Sequence, residues 1–291
     1  MPSFPIIDTH LHLWDPRRLS YSWQKGNALF DRPYLIEDYR QAAKDVPTEA
    51  MVFLECFADF SAEGGQYLEE IAFVEGEAAR DPRLKAIVPM APLEMGDAVA
   101  PLLEEMVSRF PRVRGIRRIV EFDADPHALM HSRNFIAGVN LLARFGLHFE
   151  INVNHTQMDS VLSFVKRIPD VPMILDHCGK PGIKGGHIAD YRRHAGELAR
   201  HPNVVCKLSD LPVEADHLNW TEADLRPFID ATIESFGVGR VIYGGDWPVS
   251  LQATTLRRWV DVLDHALAGL SEQDLRKIYR DNANRFYRLG S

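Results

Sequence analysis

The sequence predicts an α/β protein in which eight parallel strands alternate with helices and close into a (β/α)8 TIM barrel. Eight short runs of β-branched and aliphatic residues recur along the 291 residues, and each interval leaves room for one helix and two loops. Several runs are apolar on both faces, which is typical of parallel strands that are covered on both sides. The predicted strands are residues 6–14, 50–57, 84–91, 113–120, 147–153, 171–178, 204–209 and 241–246.

Helical patterns fill the intervals, with apolar residues at steps of three and four positions. They span residues 35–44, 66–80, 98–110, 135–145, 158–168, 191–200, 222–236 and 256–270. A doubly wound open sheet is the alternative fold, but it usually has about six strands and a glycine-rich first turn, and no GxGxxG motif occurs here. We therefore expect a single domain over residues 1–291, with residues 271–290 as a C-terminal helical extension packed on the outside of the barrel.

The composition argues against several classes of partner. The formal net charge is -8, the pI is about 5.8 and the arginine pairs are scattered, so neither nucleic acid nor an anionic membrane surface is expected. No apolar run of about eighteen residues predicts a membrane span, and no signal-peptide pattern opens the chain. The three cysteines lie in or just after apolar runs and form no CxxC motif. Buried reduced thiols, and with them a cytoplasmic location, are the expectation.

The stretch Ile-Ile-Asp-Thr-His-Leu-His-Leu-Trp at residues 6–14 organises the rest of the interpretation. Side chains two apart on a strand point the same way, so His10 and His12 would project side by side while the two leucines enter the core. Two adjacent neutral imidazoles suit a divalent metal or a polar reacting group. A bare His-x-His motif is weak evidence, because such pairs are often merely satisfied or solvent-facing.

Barrel enzymes place their active sites at the C-terminal ends of the strands, and polar residues recur there. Asp246 follows the eighth run after Gly244 and Gly245. Strands one and eight are neighbours in a closed barrel, so Asp246 should lie near His10 and His12. A carboxylate beside imidazoles can hold a metal or take a proton from water. The further candidates at strand ends are Glu55, Arg117, Asn152, His155, His177 and Lys207.

These further candidates suggest contacts to a substrate. Arg117 could bind a carbonyl or a carboxylate, although a surface ion pair is an equal alternative. Glu55 could accept a bond from a substrate hydroxyl, and Lys207 could bind a substrate oxygen; Asn152 and His155 end the fifth strand. Trp23 lies in a long first loop at residues 15–33, where it could stack on a sugar-sized ring or simply cover the loop's own small core.

The motifs resemble the amidohydrolase superfamily, and more narrowly its sugar-lactonase branch, which includes L-fuconolactonase and L-rhamnonolactonase. Besides the first stretch, the resemblance rests on Leu175-Asp176-His177, on Gly245-Asp246-Trp247-Pro248-Val249 and on the closing Asp281-Asn282-Ala283-Asn284-Arg285-Phe286-Tyr287. The resemblance implies that Asp246 activates water and that His10, His12, His177 and Asp246 position this water and form the metal site. Binuclear members have a lysine at the end of strand four. Arg117 stands there, so the resemblance implies at most one divalent metal, zinc being favoured, and in this branch it can be dispensable.

The resulting hypothesis is hydrolysis of a small sugar-derived lactone to the aldonic acid. A metal-dependent decarboxylase of an aromatic or unsaturated acid and a pyrone dicarboxylate lactonase are the alternatives, and a non-catalytic binding protein is the alternative of another class. A dianionic substrate would need several cationic contacts, and only Arg117, Arg118 and Lys207 are obvious candidates. A neutral polyol ring is therefore favoured. The sequence leaves open the sugar configuration, the ring size, the need for metal and whether the protein is a homo-oligomer.

Overall fold

The computed structural model describes residues 2–59 and 66–290, and all eight predicted strands are present in it. The strands are β1 Ile6–Leu11, β2 Thr48–Leu54, β3 Leu84–Val88, β4 Gly115–Ile119, β5 His148–Asn152, β6 Met173–Leu175, β7 Val204–Leu208 and β8 Val241–Tyr243. All eight end earlier than predicted. After β6 and β8 the chain turns sharply through residues with positive φ, including His177 and Asp246, so the polar residues lie on turns beyond the strands.

The helices also follow the predicted order, with an extra short helix before the fourth predicted one. They are α1 Ile36–Ala42, α2 Gln66–Arg80, α3 Ala100–Arg109, α4 Pro126–His131, α5 Arg133–Leu141, α6 Met158–Val165, α7 Ile188–Leu198, α8 Glu222–Phe236, α9 Leu256–Ala266, α10 Glu272–Arg276 and α11 Asn282–Tyr287, with a π-helical segment at Lys277–Asp281. Within the described residues, no helix combines the length and apolarity that crossing a bilayer would require.

The strands form two parallel sheets, of order β1-β2-β3 and β4-β5-β6-β7-β8. Isolated parallel bridges join the two sheets at both pairs of edges, between Ile87 and Val113 and between Leu11 and Trp247. The second bridge is accompanied by a hydrogen bond of 2.9 Å from the His12 amide to the Trp247 carbonyl. The first strand therefore lies beside the chain that leaves the last strand, which is the arrangement the candidate site requires.

The C-terminal extension is present, but the prediction that it packs on the outside is wrong. Ala283, Tyr287 and Leu289 join an apolar cluster formed by the other faces of the strands, with residues such as Ile7 and Val52. Tyr287 is fully buried, and its hydroxyl donates a hydrogen bond of 2.8 Å to Glu150 Oε1 on β5. The strands alone leave apolar surface and a carboxylate without cover there, and the extension supplies the side chains that fill this space.

The buried carboxylate of Glu70 on α2 leads to a prediction about how the stability of the protein depends on pH. Its Oε1 accepts a hydrogen bond from the Cys56 amide at 3.1 Å, while its buried Oε2 has no partner within the described residues. Burial, followed by the charge of Glu55, raises the pKa of Glu70 to about 8. Because this folded-state pKa is above the unfolded one, the native state resists ionisation of Glu70, and stability is lost as the pH rises from the unfolded pKa toward 8.

We expect Glu70→Gln to gain stability relative to the wild type as the pH rises, by on the order of 4 kcal/mol at most near pH 8. Urea unfolding between pH 4.5 and 8.5 measures the difference. The exposed Glu104→Gln is the matched control and should show no such pH-dependent gain. A constant difference between Glu70→Gln and the wild type across this range would contradict the prediction.

Candidate active site

Two histidines of β1 and its end converge on one carboxylate. Oδ1 of Asp246 lies 3.2 Å from Nε2 of His10 and 3.2 Å from Nε2 of His12, and the two imidazole nitrogens are 3.1 Å apart. The ring of His177 packs against that of His10 with centroids 4.4 Å apart. All four side chains are buried. The neighbouring first and last strands thus bring His10, His12 and Asp246 together, as the sequence predicted, and the turn after β6 adds His177.

Several residues of the site have energetically unfavourable backbone conformations. His177 has a φ of 51° and Asp246 a φ of 53°, and Asp210, beyond β7, has a φ of 59°. Such left-handed conformations are rare outside glycine and tend to persist at functional sites, where the surrounding structure enforces them. Each of these three residues follows a different strand. The strain is therefore concentrated at the C-terminal end of the sheets.

The Asp8 carboxylate stabilises, through hydrogen bonds, the turn that contains Asp246. Its Oδ1 accepts hydrogen bonds from the amides of Gly245, at 2.7 Å, and His10, at 3.1 Å, and its Oδ2 accepts one from the Tyr39 hydroxyl at 2.9 Å. A Cβ on Gly245 would lie 2.5 Å from Asp8 Oδ2, so only glycine permits this approach. Burial raises the pKa of Asp8 to about 6. Sequence reasoning missed this role, although Asp8 stands two residues before His10.

The cluster combines neutral imidazoles with an ionised carboxylate. Burial lowers the pKa of His10 and of His177 well below the ordinary value. Burial would raise the pKa of Asp246, but the interactions with His177 and His12 outweigh it and hold that pKa at about 2. Burial, then the charge of Asp246, raises the pKa of Asp210. At neutral pH the site therefore presents an anionic Asp246 oxygen beside the uncharged imidazoles of His10 and His177.

The donor set fits one divalent cation. Ligand atoms of His10, His177 and Asp246 lie within 4.8 Å of one another, and the buried Asp246 Oδ2 has no hydrogen-bond partner among the described residues. Imidazole nitrogens and a carboxylate oxygen are suitable ligands for such an ion. This group does not include His12, the fourth predicted ligand, whose Nδ1 lies 2.9 Å from the Leu54 carbonyl. The Arg117 guanidinium, 3.1 Å from His10 Nε2, disfavours a second cation.

Arg117 does not form a surface ion pair; the structure places it in a buried one. Its Nε lies 2.8 Å from Glu55 Oε1, and its Nη1 lies 3.5 Å from Asp176 Oδ2. Arg117 is 3% exposed and Glu55 is fully buried, yet both contribute to the lining of the same cavity. Burial opposes the charge on Arg117, but the carboxylates of Glu55 and Asp176 outweigh this effect and raise its pKa.

Lys207 does not contact the cavity, which corrects its predicted role in binding a substrate oxygen. Its fully buried ammonium pairs with Glu150 and lies 2.9 Å from Asp176 Oδ1, beneath the histidines. His148 and Tyr287 also bond to Glu150, at 3.0 and 2.8 Å. Sequence reasoning passed over His148 and Glu150, although a charged residue inside an apolar strand was a usable signal.

A cavity of about 410 Å³ opens above the cluster. His12, His177 and Asp246 lie in its wall. The other lining residues are Trp14, Trp23, Glu55, Cys56, Phe57, Arg117, Ile119, Phe122, Asn152, Lys180, Asp210, Val213, Glu214, Val249 and Gln252. Of the predicted substrate contacts, Trp23, Glu55, Arg117 and Asn152 line this cavity. His155 does not; it stacks on His187 with centroids 5.5 Å apart.

Trp23 satisfies both interpretations of the first loop. Its ring contacts those of Trp14 and Phe30 at 5.5 and 5.6 Å, so it helps to form the loop's own core. Its indole N–H donates a hydrogen bond of 2.9 Å to the Cys56 carbonyl. The side chain is nevertheless 38% exposed and lines the cavity. Packing within the loop therefore fixes the orientation of a ring that faces the site.

Comparison with known proteins finds a family and relatives that match nearly the whole chain. The family model described as Amidohydrolase matches residues 7–289. The chain is 30% identical over 296 residues to a protein of Burkholderia multivorans named L-fucono-1,5-lactonase, covering 97% of this chain and 96% of that one. It is 25% identical over 340 residues to a Scheffersomyces stipitis protein named L-rhamnono-gamma-lactonase, covering 99% and 100%.

A solved structure agrees in fold as well as in sequence. The crystal structure of a Burkholderia multivorans amidohydrolase with bound zinc superposes with a TM-score of 0.86 at 28% identity, covering 98% of this chain and 100% of that one. Together with the family match over nearly the full length, this confirms the resemblance drawn from the histidine pair, His177 and Asp246. The chain belongs to the amidohydrolase family.

Proposed function

We propose that this protein hydrolyses a sugar-derived lactone to the corresponding aldonic acid. The observation that carries the proposal is the position of the Asp246 carboxylate, whose Oδ1 lies 3.2 Å from the imidazoles of His10 and His12 at the wall of a cavity. The names of the relatives from Burkholderia multivorans and Scheffersomyces stipitis support the lactone as substrate class. The parallel bridges at both sheet junctions and the similarity to the amidohydrolase structure support a closed (β/α)8 barrel as the framework.

In the proposed reaction Asp246 accepts a proton from a water molecule as the water oxygen attacks the lactone carbonyl carbon. The ring C–O bond then breaks, and Asp246 returns its proton to the leaving alkoxide, which gives the hydroxy acid and restores the carboxylate. His12 and His177 orient the water, and the Arg117 guanidinium stabilises the negative charge on the carbonyl oxygen. An ion bound by His10, His177 and Asp246 would act as a Lewis acid and lower the pKa of its water. Zinc is the proposed ion, supported by the zinc-bound relative.

A dianionic pyrone dicarboxylate fits this cavity less well than a neutral ring. Among the described residues that line it, the cationic side chains are Arg117 and Lys180. Arg117 is paired with Glu55 and Asp176, and Lys180 with Glu121. The two carboxylates of a pyrone dicarboxylate would therefore meet cations that are each already paired with a carboxylate of the protein.

The remaining sequence-based expectations stay predictions. They are a single domain over residues 1–291, a cytoplasmic location and no nucleic-acid partner.

A screen of aldonolactones with a pH indicator tests the proposal, because each ring opening releases one proton at neutral pH. We expect turnover of at least one neutral aldonolactone and no decarboxylation of hydroxybenzoates. The screen is run before and after chelation and again with added zinc. Full activity after chelation assigns water activation to Asp246 without metal, whereas loss that zinc restores makes the ion essential. No turnover of any lactone under either condition would contradict the proposed function.

A further inference from the structure

Three aromatic side chains contribute to the wall of the cavity, and we call Trp23, Phe57 and Phe122 the aromatic collar. They come from the loops that follow β1, β2 and β4, and all three line the cavity. The rings of Phe57 and Phe122 lie 6.0 Å apart with an interplanar angle of 57°. Phe122 is 67% exposed and Trp23 is 38% exposed, so apolar ring surface faces the cavity rather than the core.

The backbone conformation and a hydrogen bond of Phe57 fix its position in the collar. Phe57 has a φ of 54°, a conformation that a residue with a bulky side chain rarely adopts, and its amide donates a hydrogen bond of 2.6 Å to Glu55 Oε2. Glu55 in turn is bound to Arg117. The orientation of Phe57 is thus tied to the buried ion pair at the cavity wall. Strain of this kind persists where the surrounding structure enforces it, commonly at ligand sites.

Several polar groups of the cavity are already bound to other residues of the protein. Glu55 is committed to Arg117, Lys180 to Glu121, and the Trp23 N–H to the Cys56 carbonyl. The lining residues with a buried, unpaired oxygen in the described part of the chain are Asn152, Asp210 and Asp246. All three end or follow a strand, and Asp246 Oδ1 lies 3.2 Å from the imidazoles of His10 and His12. The three rings of the collar offer no hydrogen bond to a hydroxyl placed against them, and the loss of water from such a hydroxyl is unfavourable.

From this division of the cavity we infer that the substrate is a sugar-derived lactone with an apolar substituent, an alkyl chain or an aromatic ring, which lies against Trp23, Phe57 and Phe122 while the lactone carbonyl faces Asp246. This inference rests on the proposed function and makes its substrate class narrower. A cavity of about 410 Å³ holds more than one six-membered ring, so it has room for such a substituent. Val213 and Val249 complete the apolar wall.

A series of aldono-δ-lactones tests the inference, beginning with the ring that carries no exocyclic carbon and lengthening an unhydroxylated linear side chain by one methylene at a time. We expect kcat/KM to rise about two- to fourfold per methylene until the collar is covered, because each methylene leaves water. The rise should flatten in Phe122→Ala. Since Phe122 is exposed, this substitution leaves the core intact. Met95→Ala is the matched control, an exposed apolar residue that does not line the cavity, and it should keep the wild-type slope.

A flat dependence on chain length in the wild type, or the same slope in Phe122→Ala, would overturn the collar while leaving lactone hydrolysis intact. Calorimetric binding of the ring-opened hydroxy acids supplies a readout that needs no turnover. If no lactone is hydrolysed but affinity for these acids rises with chain length and falls in Phe122→Ala, the collar is supported and the proposed function fails. Affinity that is independent of chain length in that case would overturn both.

Discussion

Replacing Asp246 with asparagine should lower kcat for lactone hydrolysis by about a thousandfold or more and leave the fold intact. The amide cannot accept a proton from water, and a general base of this kind contributes about 10²–10⁴ in rate. The asparagine side chain has almost the same shape as that of Asp246 and would face two neutral imidazoles, so the substitution leaves no unpaired buried charge. Steady-state kinetics with saturating zinc measure the loss, and circular dichroism with thermal unfolding checks the fold.

Asp190→Asn is the matched control for Asp246→Asn, because it makes the same chemical change at an exposed position of α7. Its kinetics should equal those of the wild type. If Asp246→Asn keeps more than a tenth of the wild-type kcat, then Asp246 is not the base, and the mechanism proposed above is wrong. A loss of activity that accompanies unfolding would instead assign Asp246 a structural role.

Replacing Lys207 with methionine should destabilise the protein by about 3–5 kcal/mol. Lys207 is fully buried, pairs with Glu150 and lies 2.9 Å from Asp176 Oδ1. Methionine has a similar volume, but it leaves both carboxylates without this cation in a place that water does not reach. The removal of one partner of a buried pair costs more than the pair itself contributes, because the remaining charge stays desolvated. Urea unfolding at pH 7 measures the loss of stability.

Two further variants show whether the loss arises from unpaired charge. The double variant Lys207→Met, Glu150→Gln removes one of the orphaned carboxylates and should recover part of the stability. Lys166→Met makes the same substitution at an exposed position after α6 and should change stability by less than about 0.5 kcal/mol. A loss below about 1 kcal/mol for Lys207→Met, or no recovery in the double variant, would show that the ion pair is not a major contributor to stability.

The interior charges explain why some sequence-based assignments were wrong. Lys207 was placed at a strand end correctly, yet its predicted contact with substrate failed because Glu150 and Asp176 hold it below the cavity. His155 follows β5 as predicted, but the short turn after Asn152 directs its ring toward His187. A strand end is known from local pattern to within a few residues. The direction of the side chain on the following turn depends on neighbours that are remote in the sequence.

The amino-acid sequence by itself determined the order of strands and helices and the convergence of His10 and His12 on Asp246. Apolar periodicity is local, and neighbouring first and last strands follow from the topology that it predicts. Only the tertiary structure decided that Tyr287 is buried against Glu150 and that Arg117 pairs with buried carboxylates. It also decided that the three rings of the aromatic collar line one cavity. These arrangements join residues that are far apart in the chain. Their energies come from burial and charge pairing, which no local pattern encodes.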